Sequence, residues 1–278
     1  MIRLLALDID GTLLRKDRTV HPDNVEAIRR AQDAGIRVVL SSGRLSSGVR
    51  SFSHQLGLGD AMICCNGGYV VGDDNVDLLC IGLEADLIVR TLEYTESTGV
   101  HINAYSRDQI YILRTSDWLE KYCVRVRTAM PVLSSVEEIH GMHLLKIILI
   151  DEPTSIQRHY QALDSLFGSL AALTESEPEY LELLPPTANK GRGLEVLSQS
   201  FGIAQHETAA IGDYLNDLEM IQWAGIGAAV GNAAAQVKAI ANLQVPTNDE
   251  AGVAYFIDYL IASNRDSVHR SMSMAAER

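Results

Sequence analysis

The chain has 278 residues, 47% apolar and 21% charged, with 21 Gly and 7 Pro; this suits one large or two ordinary folded domains and excludes collagen, low-complexity sequence and wholesale disorder. Lys and Arg total 23 against 36 Asp and Glu, a formal net charge of −13. So acidic a chain is not a general nucleic-acid binder and is repelled by anionic membrane surfaces, and an anionic ligand would need a local cationic device to hold it.

Residues 2–7 read as a buried strand. Residues 23–34 read as a helix opened by Pro22, with Val25, Ile28 and Ala31 on one face and Gly35 as its stop. A second strand, 36–40, runs into Ser41-Ser42-Gly43-Arg44; a short helix and a third strand, 61–65, end in Asn66-Gly67-Gly68. Strands alternating with helices predict βαβ units and a parallel sheet. Residues 69–71 and 76–81 predict a hairpin around Asp73-Asp74-Asn75. From about residue 84 the order changes. A helix (84–98) is followed by strands near 100–105 and 109–114, a short helix at 136–141 and a strand over 143–150, then a helix (153–167) and strands near 170–174 and 180–184. This α+β stretch is long enough for a domain of its own, with Pro185-Pro186 as its exit. The βα alternation then resumes: a helix at 191–201, strands at 208–211 and 224–230, a helix capped by Asn232 and a last helix over 252–262, beyond which the polar tail is expected to fray. The expectation is one α/β domain, residues 1–83 and 186–278, split by an inserted domain, 84–185.

Cys64, Cys65, Cys80 and Cys123 make no CxxC pattern and read as reduced, mostly buried thiols of an intracellular protein. The apolar run at 4–7 is too short for a secretory leader and meets Asp8 and Asp10 at once. Residues 220–237 carry no charge, but Gln222, Asn232, Gln236 and three glycines suit a buried soluble segment rather than a spanning helix.

Four polar groupings stand just beyond predicted strand ends, where parallel α/β sheets place ligand sites. In Asp8-Ile9-Asp10-Gly11-Thr12 the acids are two apart and, in extended backbone, point to one side. Such a pair repels unless a cation or proton intervenes, and oxygen ligands of this kind suit Mg²⁺. Alone, the pair fits a turn that ends a strand equally well. Ser42-Gly43-Arg44 offers a hydroxyl and glycine amides to a phosphate, and Asn189-Lys190-Gly191 an ammonium at a helix start; read singly, these are also an ordinary cap and a surface lysine. In Gly212-Asp213-Tyr214-Leu215-Asn216-Asp217, the residues Asp213, Asn216 and Asp217 stand at i, i+3 and i+4, one face of a helix. His140 and His143 have no third ligand nearby and read as structural. Tyr69, Tyr105 and Trp118 either contact a substrate or pack.

Acid pair, small hydroxyl, lysine and acid cluster, in that order, resemble the four motifs of the haloacid dehalogenase (HAD) superfamily. Asp8 to Leu13 matches the first, Ser42 the second, Lys190 the third, and Gly212-Asp213 with Asn216-Asp217 the fourth. Ser42-Gly43-Arg44, Asn66-Gly67-Gly68 and an α+β insertion between the second and third motifs are similar to the Cof-type subfamily with the C2B cap. The resemblance continues through 224–234 and 249–253 and so covers essentially the whole chain. Two departures are visible. Ser42 stands where threonine is common, keeping the hydroxyl, and Thr187-Ala188 stands where Gly-Val is frequent, which touches the hinge to the cap.

The fold this resemblance implies is a Rossmann-like parallel-sheet core with an inserted α+β cap. The implied activity is Mg²⁺-dependent hydrolysis of phosphomonoesters through an aspartyl-phosphate. Asp8 would be the nucleophile and Asp10 the acid and then the base. Asp8, the Asp10 backbone carbonyl and Asp213 would hold the cation, with Asn216 and Asp217 orienting waters or phosphate behind it. The Ile9 amide, Ser42, Gly43, Lys190 and Asn216 would bind phosphate oxygens, and Arg44 and Asn66 would be placed to meet substrate. The cation and Lys190 then supply the positive field that the acidic chain needs. The implied partner is a small phosphorylated metabolite, a sugar phosphate or a cofactor phosphate resembling pyridoxal phosphate or flavin mononucleotide. The expected setting is cytoplasmic, without nucleic acid or membrane, as a monomer or homodimer. A sugar phosphomutase shares these motifs. A phosphate-binding signalling module uses related side chains, but it lacks the insertion and the motifs that resume after residue 185.

Overall fold

The computed structural model describes residues 1–126 and 130–276, with side chains to residue 266. The chain begins with β1 (Leu4–Asp8), α1 (Pro22–Asp33), β2 (Arg37–Ser41), α2 (Ser46–Leu56), β3 (Met62–Cys64), β4 (Tyr69–Val71) and β5 (Asp77–Cys80). It continues through α3 (Ala85–Thr98), β6 (His101–Tyr105), β7 (Ile110–Ile112), α4 (Asp117–Val126), β8 (Val132–Leu133) and α5 (Val136–His140), then β9 (Lys146–Ile150), α6 (Pro153–Phe167), β10 (Ala172–Glu177) and β11 (Tyr180–Leu184). It returns through α7 (Lys190–Ser200), β12 (Thr208–Gly212), α8 (Leu218–Trp223), β13 (Ile226–Ala229), α9 (Ala235–Ile240), β14 (Leu243–Gln244) and α10 (Gly252–Ala276).

The core sheet has the order β14-β13-β12-β1-β2-β3-β4-β5, parallel except where β4 and β5 join as antiparallel strands. β1 lies at its centre, Leu4 opposite both Thr208 and Arg37, and Asp8 opposite Ser41. All five β1 residues are buried because helices cover both faces, which is why the strand reads as an unbroken apolar run before its acid. Leu5 and Leu7 belong to the core shared with Ile28 of α1 and Phe256 of α10. Leu4 and Ala6 belong to the one shared with Leu194 of α7 and Met220 of α8. This is the doubly covered α/β core expected from the sequence.

The cap sheet has the order β10-β11-β9-β6-β7-β8, antiparallel but for the β7–β8 pair. Its period of two divides the side chains. Ile102, Ile147, Leu149 and Leu181 pack with Leu92 of α3 and Leu163 of α6. The alternate residues Tyr105, Lys146, Ile148, Tyr180 and Glu182 line a cleft against the core.

Several local expectations change. The structure adds α4 and β8, which the sequence pattern does not announce. β13 begins at Ile226, later than expected, and β9 begins at Lys146, leaving His143 outside it beside Cys80. Asn232 caps no helix: α9 starts beyond it, and its side chain instead donates to the Gly11 carbonyl at 2.8 Å and accepts from the Asn248 amide at 2.9 Å. The last helix does not end near residue 262. Asn264 grips both the amide and the carbonyl of Ile2, at 2.7 and 2.8 Å, and the helix runs on to Ala276. Cys64 and Cys65 are buried, but Cys80 is exposed and Cys123 half-buried, and all four thiols are free. No described helix is long and apolar enough to cross a membrane.

Candidate active site

The carboxyl ends of β1, β2, β3 and β12 converge on one side of the core sheet, facing the cap. After Asp8 the chain enters a tight loop, Ile9–Leu13, closed by the Leu14 amide on the Ile9 carbonyl at 2.9 Å. Ile9 is buried side chain down, which leaves its amide at the strand end. Gly11 has φ +84°, and a β-carbon there would run into the Asp213 carboxylate, so the loop presses against the fourth motif only because this residue lacks one. Thr12 donates to Asp213 Oδ1 at 2.8 Å across the same junction.

Lys190 opens α7 and is fully buried. Its ammonium donates to Asp8 Oδ1 and to Asp217 Oδ1, each at 2.6 Å. Burial opposes its charge, but Asp217 and Asp8 outweigh that and hold it above the usual lysine range. Asp8, Asp213 and Asp217 bring carboxylate oxygens within 4.8 Å of one another. Burial and the Asp217 charge push Asp8 up to about 7, although Lys190 pulls the other way. Burial, with Asp8 and Asp217, raises Asp213 well above the carboxylate range. One lysine therefore does not balance three acids. Asp217 is fully engaged, since its Oδ2 accepts the amides of Asp213 and Tyr214 at 2.9 and 3.2 Å. Asp8 Oδ2, by contrast, is buried with no hydrogen-bond partner. An orphaned carboxylate oxygen in an all-oxygen acidic cluster fits a hard divalent cation.

Asp10 faces the same cleft but stands apart from that cluster. Arg44 clamps it with Nε and Nη2, both at 2.7 Å, and Arg18 donates to it at 2.8 Å. Burial would raise this carboxyl, but the two guanidiniums, Arg44 first, hold it below the usual range. Arg44 reaches the cap as well, donating to the Val126 carbonyl at 2.6 Å. The cleft lies between Asp8, Asp10, Ser42, Gly43, Arg44 and Asn216 on the core side and the cap sheet on the other.

A family model of haloacid dehalogenase-like hydrolases matches residues 5–257. The chain belongs to the haloacid dehalogenase-like hydrolase family. Among its relatives, pyridoxal phosphate phosphatase YbhA of Escherichia coli is 28% identical over 92% of this chain and 97% of its own. The 5-amino-6-(5-phospho-D-ribitylamino)uracil phosphatase YitU of Bacillus subtilis is 28% identical over 91% of this chain and 96% of its own. The crystal structure of a haloacid dehalogenase-like hydrolase from Bacteroides thetaiotaomicron superposes with a TM-score of 0.83 at 28% identity, covering 94% of this chain and all of that one.

Within this HAD hydrolase the structure brings buried Asp8, Lys190 and Asp217 and half-buried Asp213 into one cluster, with Ser42, Gly43 and Asn216 at its rim. Asn66 is placed differently from expectation. It does not border the cleft but sits behind Gly43, its Nδ2 donating to Glu182 of the cap at 2.7 Å and its Oδ1 accepting from Asn216 at 3.0 Å. It lies in a run of three left-handed residues, Cys65, Asn66 and Gly67, with φ of 49°, 52° and 85°. A non-glycine residue held there costs roughly 1–3 kcal/mol, and such strain gathers at functional sites. Gly67 fits because a β-carbon would strike the backbone of Asn189, the cap of the Lys190 helix.

Among the cleft residues that escaped the sequence reading are Arg18, Arg125, Lys146 and Glu182. Arg125 pairs with Glu177 and, at 3.6 Å, with Glu179. Glu182 and Lys146 did leave a signal, an ionisable group inside an otherwise apolar strand. Arg18, in the loop after the first motif, left none.

Proposed function

We propose that this phosphatase hydrolyses small phosphomonoesters by transferring the phosphoryl group to Asp8. The observation that carries the reading is the Asp8 carboxylate itself. One oxygen is fixed by Lys190 and the other is buried, unpartnered and at the cleft. An Asp8 oxygen attacks phosphorus, the bond to the alcohol breaks, and the alkoxide takes a proton from Asp10. Water then attacks phosphorus of the acyl phosphate, giving its proton to Asp10 and returning Asp8 and free phosphate. Asp10 must first carry a proton, and Arg44 and Arg18 oppose that. An incoming phosphate that draws these guanidiniums to itself relaxes the restraint. The Ile9 amide, Ser42, Gly43, Lys190 and Asn216 receive the phosphate oxygens.

Asp8, the Asp10 carbonyl and Asp213 would hold Mg²⁺, with Asp217 committed behind them by its own hydrogen bonds. Bound there, the cation neutralises charge on the phosphoryl oxygens. Among the described residues lining the cleft, every Lys and Arg is already paired with a carboxylate, Arg18 and Arg44 with Asp10, Lys146 with Glu182, Arg125 with Glu177. The related YbhA and YitU suggest cofactor and ribityl phosphates as first candidates, beside sugar phosphates. We read residues 84–185 as the inserted domain and the chain as a cytoplasmic monomer or homodimer, in keeping with its four free thiols.

The test is phosphate release from a panel of such esters. Release is expected with Mg²⁺, to vanish in EDTA and to return on adding the cation back. A folded protein that releases phosphate from no ester overturns the reading. Gly11→Ala should lose about 100-fold or more in kcat, because the new methyl displaces Asp213, a shift of the size that costs this much. Its melting temperature, followed by circular dichroism, should fall by only about 2–8 °C, the effect of 1–2 kcal/mol of backbone strain.

A further inference from the structure

The cap carries a buried ion pair that this reaction does not use. Lys146 Nζ and Glu182 Oε2 are 2.6 Å apart, and each side chain is 1% exposed. They stand on the cleft face of β9 and β11, the ammonium 4.5 Å from the centre of the Tyr105 ring. Glu182 Oε2 also accepts from Asn66, which accepts in turn from Asn216. All four side chains are buried. A hydrogen-bonded row therefore runs from the cap, through the strained core loop, to the rim of the Asp8 cluster.

The row has one polarity. A carboxylate only accepts and an ammonium only donates, whereas a carboxamide does either according to which end it presents. Facing Glu182, Asn66 must present its NH₂, so its oxygen turns to Asn216. Facing that oxygen, Asn216 must present its own NH₂, which leaves its Oδ1 for the cleft. The charge on the cap thus selects the orientation of two amides in the core, and only while the cap is seated.

We propose that Glu182 is a positioning residue: with Lys146 fixing it, its carboxylate sets the Asn66 and Asn216 carboxamides in the orientation that phosphoryl transfer uses. The inference rests on the phosphatase reading.

Truncation and repair test it. In Glu182→Leu no oxygen faces Asn66, so nothing dictates which end that carboxamide presents. Lys146 and Asn66 donate to the same oxygen, Glu182 Oε2, so Glu182→Gln keeps the row: the ammonium, which only donates, turns the new carboxamide's oxygen toward itself and hence toward Asn66. The double variant, Lys146→Met with Glu182→Leu, removes the pair together and leaves no buried charge unpaired. Glu182→Leu and the double variant should each lose about 10- to 100-fold in kcat, equally for every ester the wild type hydrolyses, with KM little changed, while Glu182→Gln stays close to wild type. Should Glu182→Leu not fold, the double variant stands in for it. The side-chain NH₂ resonances of Asn216 provide a readout independent of turnover. They should be sharp and slow to exchange with solvent in wild type and Glu182→Gln, and averaged in the double variant. Wild-type kcat and resonances in the double variant, a Glu182→Gln no better than the double variant, or a loss confined to some esters overturns the proposal. If the wild type hydrolyses nothing, the phosphatase reading falls and the resonances alone decide the row.

Discussion

Asp8→Asn is expected to cut phosphate release by about ten-thousand-fold or more while leaving the protein as stable as before or slightly more so. The magnitude is that of removing a nucleophile on which both half-reactions depend. The stability follows from the site. Asp8 is buried, pushed up to about 7 and crowded by Asp217, so metal-free its charge is a burden to the fold. A carboxamide of the same shape keeps an oxygen for Lys190 at the position now 2.6 Å away and relieves the repulsion. Phosphate release and a thermal melt in EDTA, run side by side, check both halves. Turnover near the wild-type rate would falsify the assignment of Asp8, whatever the melt shows.

Lys190→Met should lose both activity and stability. Its ammonium is the one group donating to both Asp8 and Asp217 among the described contacts, and it lies wholly out of water. Removing one member of a buried charge set typically costs about 3–5 kcal/mol, because the partners remain buried without it. In EDTA the deficit should grow with pH. Lys190 lowers Asp8, so its loss moves that carboxyl further above its ordinary value of 3.8. The folded state then binds more protons than the unfolded one over a wider range above that value, and stability falls as pH rises through it. Urea titrations at acid and mildly alkaline pH measure the difference. A deficit independent of pH would mean that lost packing, not uncompensated charge, is the cause.

The core was legible where one residue type has one reason to be where it is. An apolar β1 ending in acids is a covered strand that presents them at its edge, and Lys190 opens a helix, both as the spacing predicts. Asp10 shows the limit. Its spacing from Asp8 predicts that both face one side, and both do border the cleft. Yet its carboxylate is held by Arg18 and Arg44, and the pull of those guanidiniums is a tertiary fact that no spacing encodes. Lys146 and Glu182 were visible as misfits in apolar strands, but their pairing depends on β9 and β11 being neighbours, a matter of sheet order. Asn232 was misplaced because a side chain that caps helices well serves equally well to bind a loop, and here Gly11 and Asn248 lie within its reach.

The strand order also bears on how the chain is made. β1 leaves the ribosome long before β12, one of its two neighbours, with Leu4 against Thr208, so this central strand waits for its partner with an open apolar edge. The cap sheet draws all six strands from 101–184 and can close long before. Non-local pairing of this kind is slow and exposes edges to misassembly. In pulsed hydrogen exchange during refolding, cap-sheet amides should therefore gain protection ahead of those of β1, making the part that covers the active site older, in the life of each molecule, than the site it covers.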